Sequence, residues 1–295
     1  MKSVVFALLL ALSFATCKSA SAENVVQKLQ DASVTIRAAG AQGSGVLFTR
    51  GDRTFVWTAA HVIDGQRVVR TVVVNGVEKT LVEFGDVQIV QEFRQDGRRI
   101  GETSMECKVL RYSDSEQGDD LALLEVRKRN FSTATVEFYT GEIPEIGTEL
   151  LHVGSLRGQF GSNSLTTGVY SQIGRVLDLG TTGTIFDQTT VTAFPGSSGG
   201  GVFLKENGQY VGMLVRGSGE QFNFIVPIRR LREWAVRAKV EWAINLNVPV
   251  PSDEELAKIP VEDAGVTGLN PAEASKRSAD SWEFPYLLQT DPFAI

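Results

Sequence analysis

Phe194-Pro195-Gly196-Ser197-Ser198-Gly199-Gly200-Gly201 sets four glycines around a pair of serines. Glycine loses more backbone entropy on folding than any other residue. Such a run suits a backbone that must turn sharply or bring its amides close to a ligand. A Gly/Ser-rich turn by itself is more often a plain loop, so other residues must give this one meaning.

The turn fits G-x-S-x-G, the strand-to-helix elbow of α/β hydrolases, but that arrangement needs a histidine after the serine. The chain has two histidines, His61 and His152, and both precede Ser198. A subtilisin-type order would put an aspartate before the histidine, and the helices of a parallel sheet are missing. What remains is His, Asp, Ser. His61 closes the apolar run Val56-Trp57-Thr58-Ala59-Ala60-His61, and Asp120 opens Asp120-Leu121-Ala122-Leu123-Leu124.

In that order, TAAH, DLALL and GSSGG resemble the three motifs of the chymotrypsin-fold serine proteases. Ser164–Arg175, Gln188-Thr189 and Phe224–Pro227 are similar to the bacterial HtrA-type branch, and Gly212–Gly219 resembles the family's substrate-binding strand. The likeness covers about residues 30–245. It implies an all-β fold of two antiparallel barrels, barrel 1 at about 30–135 and barrel 2 at about 147–227. It also implies a serine endopeptidase acting on polypeptides. A catalytically silent binding or chaperone-like module of the same fold is the alternative. The resemblance implies neither a cofactor nor a metal, and two histidines with two cysteines leave little to build a metal site. HtrA-type proteins usually add a PDZ domain; the 50 residues after 245 have the wrong composition for one.

The chemistry accounts for the residue types. A serine hydroxyl attacks only when a base takes its proton, and His61 is the base the motif supplies. A buried carboxylate, Asp120, would hold the imidazole tautomer and stabilise the imidazolium. Asp119 is the alternative, although Asp120 abuts the strand as in the family. The backbone N–H groups of Gly196 and Ser198 would form the oxyanion hole. By the family's pattern, the floor of the pocket for the residue before the cut is Thr192 with Ala193. Its opposite wall is Val215-Arg216-Gly217, with Arg216 over the mouth. None of the floor is acidic, so apolar side chains are expected there. Digestive members carry an aspartate before the serine that pairs with a freed N-terminus; here Ser197 stands in that place.

Between 34 and 226, short β-branched runs cut by Gly, Asn and Asp recur every 10–20 residues, such as Gly45–Thr49, Phe55–Thr58, Val68–Val74, Leu121–Val126 and Tyr210–Arg216. That pattern predicts antiparallel barrels or sandwiches. Ile228, Leu231, Ala235, Ala238 and Trp242 then recur at 3-4-3-4, predicting a helix over 228–244. Its other face, Arg229, Arg230, Arg232, Arg237 and Lys239, reads as solvated. His152 and Cys107 sit mid-strand and read as packing.

Residues 1–22 have the form of a secretory signal: Lys2, then an apolar core over 4–15, then Ala20-Ser21-Ala22 before a cut at Glu23. Secretion or a periplasmic location follows; acylation at Cys17 is a poorer fit. The mature domain would be 23–245. From 246 to 295 the chain is proline-rich. Residues 251–295 hold nine acids and three bases, the whole net charge of −6, and the segment reads as disordered. Its apolar cluster Trp282–Leu288 would dock on the protein itself or meet a partner protein. Net acidity argues against nucleic acid, and no apolar run is long enough for a transmembrane span.

Overall fold

A computed structural model describes residues 19–141, 143–178, 183–217 and 221–263. Six strands close the first barrel: β1 (Ser33–Ala38), β2 (Ala41–Arg50), β3 (Arg53–Thr58), β6 (Val87–Gln95), β7 (Arg98–Ser113) and β8 (Leu121–Val126), in the order β1-β2-β3-β8-β7-β6. Six more close the second: β9 (Glu149–Leu156), β10 (Gly161–Asp178), β11 (Gly183–Thr189), β12 (Gly201–Leu204), β13 (Tyr210–Gly217) and β14 (Asn223–Pro227), in the order β10-β11-β14-β13-β12-β9. Neighbouring strands are antiparallel throughout. Leu165–Tyr170 and Gly174–Leu177, legible as two runs, are parts of the one bulged strand β10.

Between β3 and β6 of the first barrel the chain forms a ribbon of two strands, β4 (Arg67–Val74) and β5 (Val77–Phe84), hydrogen-bonded into neither barrel. Asn75-Gly76, both at positive φ, make its turn, as a two-residue hairpin requires.

Strand β3 is buried at every position, with the apolar run Phe55-Val56-Trp57 at its centre. One face fills the barrel; the other lies under the C-terminal elements. Phe55 meets Trp242 edge-on at 4.7 Å, and Trp57 meets Trp234 at 5.7 Å. Such aromatic pairs add about 0.5–1.5 kcal/mol beyond area burial.

Three expectations are corrected. The helix over 228–244 is shorter: α2 is Ile228–Arg237, Lys239 takes a left-handed φ of 57°, and Trp242 sits in a separate turn, Glu241–Ala243. The apolar spacing persists because that turn returns Trp242 to the same core. The basic face is only partly solvated: Arg237 and Lys239 are exposed, but the arginines there are paired. Arg229 pairs with buried Asp187, Arg230 and Arg237 with buried Asp119, and Arg232 donates to the Tyr139 carbonyl. Lastly, the expected disorder of 246–295 does not hold for 246–263. Ser252 and Glu255 form a capping box on α3 (Asp253–Ala257), and Leu256 is buried. Val261 accepts from the Tyr112 N–H at 2.8 Å. The cluster Trp282–Leu288 lies outside the described residues.

At the other end, α1 (Ser19–Asp31) spans the expected cut at Ala22. Residues 1–18 lie outside the described part. Among the described residues, no helix is long and apolar enough to cross a membrane.

Candidate active site

Three segments meet between the barrels. His61 stands in the tight turn Ala60–Val62 that ends β3. Asp120 precedes β8, and Ser198 precedes β12. Gly199 joins the last to the first: at φ 86°, a Cβ there would lie 2.2 Å from the Ser44 carbonyl oxygen and 3.0 Å from the Ala59 nitrogen. Only glycine lets the serine turn approach the chain two residues before His61 this closely.

His61 and Asp120 are in direct contact. The imidazole Nδ1–H donates to a carboxylate whose two oxygens are both 3.0 Å away, and the His61 backbone N–H adds a bond of 3.1 Å to Oδ1. Asp120 is 1% exposed and takes a left-handed φ of 56°, which aspartate tolerates better than most residues. Burial would push its carboxyl up. The His61 charge and hydrogen bonds outweigh that, helped by Arg216, and hold it below the ordinary carboxylate range. A carboxylate so placed stays ionised.

Asp119, one residue earlier, is turned the other way. Its carboxylate takes the Arg230 Nε at 2.9 Å and the Arg237 guanidinium, while the Arg230 guanidinium stacks over Phe186 at 4.8 Å. Of the two adjacent aspartates, only Asp120 faces His61; Asp119 ties the Asp120 turn to α2. Nothing in the sequence pattern marked that tie, because the arginines lie more than a hundred residues away.

In the serine turn every carbonyl from Phe194 to Ser198 has a protein donor. Phe194 accepts from Ser197 N at 2.9 Å and Pro195 from Arg157 N. Gly196 accepts from Ser44 Oγ at 2.7 Å, Ser197 from Gly200 N at 3.0 Å, and Ser198 from Ser44 N at 2.7 Å. In a trans peptide the N–H points away from the preceding carbonyl. The tied Pro195 and Ser197 carbonyls therefore turn the Gly196 and Ser198 N–H groups to the opposite side. Among the described residues, neither N–H donates to a protein acceptor. Gly196 sits at φ 92°, and a Cβ there would lie 2.4 Å from the Ser155 carbonyl oxygen, so this position also demands glycine.

Ser44 is the residue that sequence reading missed. Besides its two bonds to the turn, its hydroxyl accepts the Ser155 N–H at 2.7 Å and its carbonyl accepts Thr58 Oγ1 at 2.8 Å. Its only sequence signal is the small run Gly43-Ser44-Gly45 at the head of an apolar strand. Ser197, 1% exposed, accepts the Phe194 N–H on its own hydroxyl at 3.1 Å, so the turn closes locally.

The pocket residues are placed as follows. Thr192 and Ala193 are half-buried, and the Thr192 carbonyl accepts Thr166 Oγ1 at 2.9 Å. The Val215 side chain is 1% exposed and turned into the core. Its carbonyl accepts Ser198 Oγ at 3.4 Å. The Arg216 guanidinium reaches the Ser115 carbonyl at 3.3 Å, on the loop leading to Asp120, and Gly217 is half-exposed.

His152 and Cys107 are packing, as read. His152 is fully buried, its Nδ1 is 3.0 Å from the Gly201 carbonyl oxygen, and burial pushes it down to about 4. Burial raises the Cys107 thiol. Among the described residues, no group of three or more His, Cys, Asp or Glu is placed to hold a metal.

The model of the trypsin-like peptidase domain matches residues 43–213, more than half of the chain, and takes in all three motif residues. The chain belongs to the trypsin-like peptidase family. It is 26% identical over 193 residues to the serine protease Do-like HtrB of Bacillus subtilis, covering 62% of this chain and 35% of that protein. It therefore spans about a third of that relative's length. The fold is also that of a serine endoprotease from Yersinia pestis, with a TM-score of 0.53, 21% identity, and 75% of this chain and 67% of the other covered.

Proposed function

We propose that this trypsin-like chain is a serine endopeptidase that cuts polypeptides through an acyl-enzyme on Ser198. The observation that carries the reading is the fully buried Asp120 carboxylate, both of its oxygens on His61 Nδ1. That contact leaves His61 Nε2 as the ring nitrogen for proton transfer. His61 takes the Ser198 proton as the hydroxyl attacks and returns it to the leaving amine. Asp120 stays ionised and stabilises the imidazolium. The Gly196 and Ser198 N–H groups meet the oxyanion, where a single donor is worth ~3 kcal/mol in related chemistry. Because Ser197 closes the turn with its own hydroxyl, the site needs no inserted N-terminal ammonium.

We also propose that residues 1–22 direct export. A cut after Ala22 leaves in place the part of α1 that packs through Val25, Val26 and Leu29 on the core. Residues 264–295 are the remaining candidate for contact with a partner protein. The test of the main reading is labelling of the folded protein with a fluorophosphonate, followed by peptide mass mapping. Modification at Ser198 that is absent in His61→Ala supports the reading. An unmodified Ser198 in folded protein sinks it and leaves a silent binding module.

A further inference from the structure

On the protease reading, in which His61, Asp120 and Ser198 act together, we propose that Asp64 is a positioning residue for His61. Held by Tyr112, its carboxylate steadies the His61 turn and favours the imidazolium that forms when Ser198 passes its proton to Nε2. Asp64 lies three residues after His61. The turn Ala60–Val62 runs straight into a second one, Asp64–Gln66. The Ile63 N–H donates to the Ala60 carbonyl and the Gln66 N–H to the Ile63 carbonyl, both at 2.9 Å, and the Arg67 N–H donates to the Asp64 carbonyl. A shift of Asp64 is therefore felt at His61.

The barrel holds Asp64 through one side chain. Tyr112 of β7 is 1% exposed, and its hydroxyl donates to Asp64 Oδ1 at 2.5 Å. Tyr112 is itself clasped by the segment after α3. Its N–H donates to the Val261 carbonyl at 2.8 Å, its carbonyl accepts the Asp263 N–H at 3.0 Å, and its ring lies 4.9 Å from Phe84. Glu262, in between, takes Arg67 Nε at 3.0 Å and Nη2 at 2.8 Å. Residues 261–263 thus fix both Tyr112 and the residue that ends the His61 turns.

An anion close to an imidazole favours its protonated form. Asp64 is exposed as a residue, yet burial of its carboxyl raises it above the ordinary aspartate range, against the Tyr112 bond; Asp120 and Asp114 add to the rise and His61 opposes it. Two aspartates therefore bear on one imidazole, Asp120 by direct bonds and Asp64 through space. The other charged groups around them have work of their own. Asp114 Oδ1 accepts the Glu116 and Gln117 N–H groups, both at 2.8 Å; Arg67 is paired with Glu262; and Arg216 acts on Asp120 from the second barrel.

The two histidines supply the test, because buried His152 is pushed down to about 4 and titrates apart from His61. Proton NMR of the imidazole Cε1–H signals follows each ring. Asp64→Asn keeps the shape and the acceptor for Tyr112 and removes only the charge. It should lower the His61 midpoint by about half a pH unit, an effect sized for a partly solvated carboxylate and shrinking in high salt. His152 should not move. Tyr112→Phe should give a smaller fall in the same direction, and none when added to Asp64→Asn, because Tyr112 acts through Asp64. In hydrolysis of a short peptide, the acid limb of kcat/KM should follow the midpoint. There kcat should fall about threefold, the same half unit read as a rate, with KM unchanged. A His61 midpoint that stays put in Asp64→Asn overturns the proposal, as does a Tyr112→Phe shift of equal size in both backgrounds. The midpoint is read without catalysis. A shift in a protein that neither cleaves peptides nor labels at Ser198 supports the link from Asp64 to His61 and counts against the protease reading instead.

Discussion

The Ser44 hydroxyl donates to the Gly196 carbonyl at 2.7 Å, and the two residues belong to different barrels. One small side chain thus fixes the Gly196–Ser197 peptide, the link between the two peptides whose Gly196 and Ser198 N–H groups would meet the proposed oxyanion. Ser44→Ala leaves the Gly196 carbonyl and the Ser155 N–H without this partner, at a cost of about 1–3 kcal/mol in stability. Losing an oxyanion donor outright costs ~10²–10³ in kcat. Ser44 acts one step removed, so a fall of about tenfold is expected, with KM nearly unchanged. Steady-state kinetics on a short peptide separates the two constants; an unchanged kcat would show that the turn holds its shape without Ser44.

As the proposed triad, His61, Asp120 and Ser198 would act as a unit. Ser198→Ala and His61→Ala should each abolish peptide hydrolysis, and the double variant should be no worse than either single one. Additive losses in a double-mutant cycle would contradict the assignment.

Asp119 has two arginine partners of unequal burial, with side-chain exposures of 10% for Arg230 and 53% for Arg237. Asp119→Ala strands a buried guanidinium and should cost about 3–5 kcal/mol. Arg237→Ala removes a half-solvated partner and should cost under about 1 kcal/mol. Urea unfolding of the three proteins checks the order. Equal losses would show that the burial difference carries no energetic weight.

His152 makes stability depend on pH. Its folded value, about 4, lies below the ordinary 6.5, because burial disfavours the charged ring. The unfolded chain therefore takes up the proton first as pH falls. The contribution is complete above pH 6.5 and is lost progressively down to pH 4, amounting to about 3 kcal/mol. His152→Gln should lower stability at neutral pH yet flatten the slope across that window. Parallel profiles for the two proteins would rule His152 out as the cause.

If Thr192 and Ala193 form the pocket floor, as the resemblance implies, specificity should follow its lack of charge. An apolar side chain gains ~1.5–3 kcal/mol on burial, whereas a lysine or arginine would lie unpaired there beside Arg216. Cleavage of a peptide library after Val, Leu, Ala or Met is expected. Cutting mainly after arginine would mean that the floor lies elsewhere; Glu220, the nearby acid in sequence, lies outside the described residues.

The two barrels were legible from the chain because strand runs and glycine turns are local. A β-branched run of five to eight residues carries its own period, and TAAH, DLALL and GSSGG each sit at a strand end. Helix α2 was legible in kind but not in length. Its apolar spacing runs on through Trp242, and only the left-handed Lys239 ends it. The preference for Asp120 over Asp119 rested on its place against the strand and on the resemblance; the contacts that separate the two, to His61 and to Arg230, appear only in the fold. Ser44 escaped notice for the same reason: a serine among glycines has no signature until the second barrel brings Gly196 to its hydroxyl. The solvated reading of the α2 arginines failed because their partners, Asp187 and Asp119, come from strands and turns far away in sequence. Sequence determined which segments extend, where they turn and which residue types the chemistry would use. Tertiary structure decided which charges are buried and which carbonyls are tied, because those depend on contacts between residues a hundred or more positions apart.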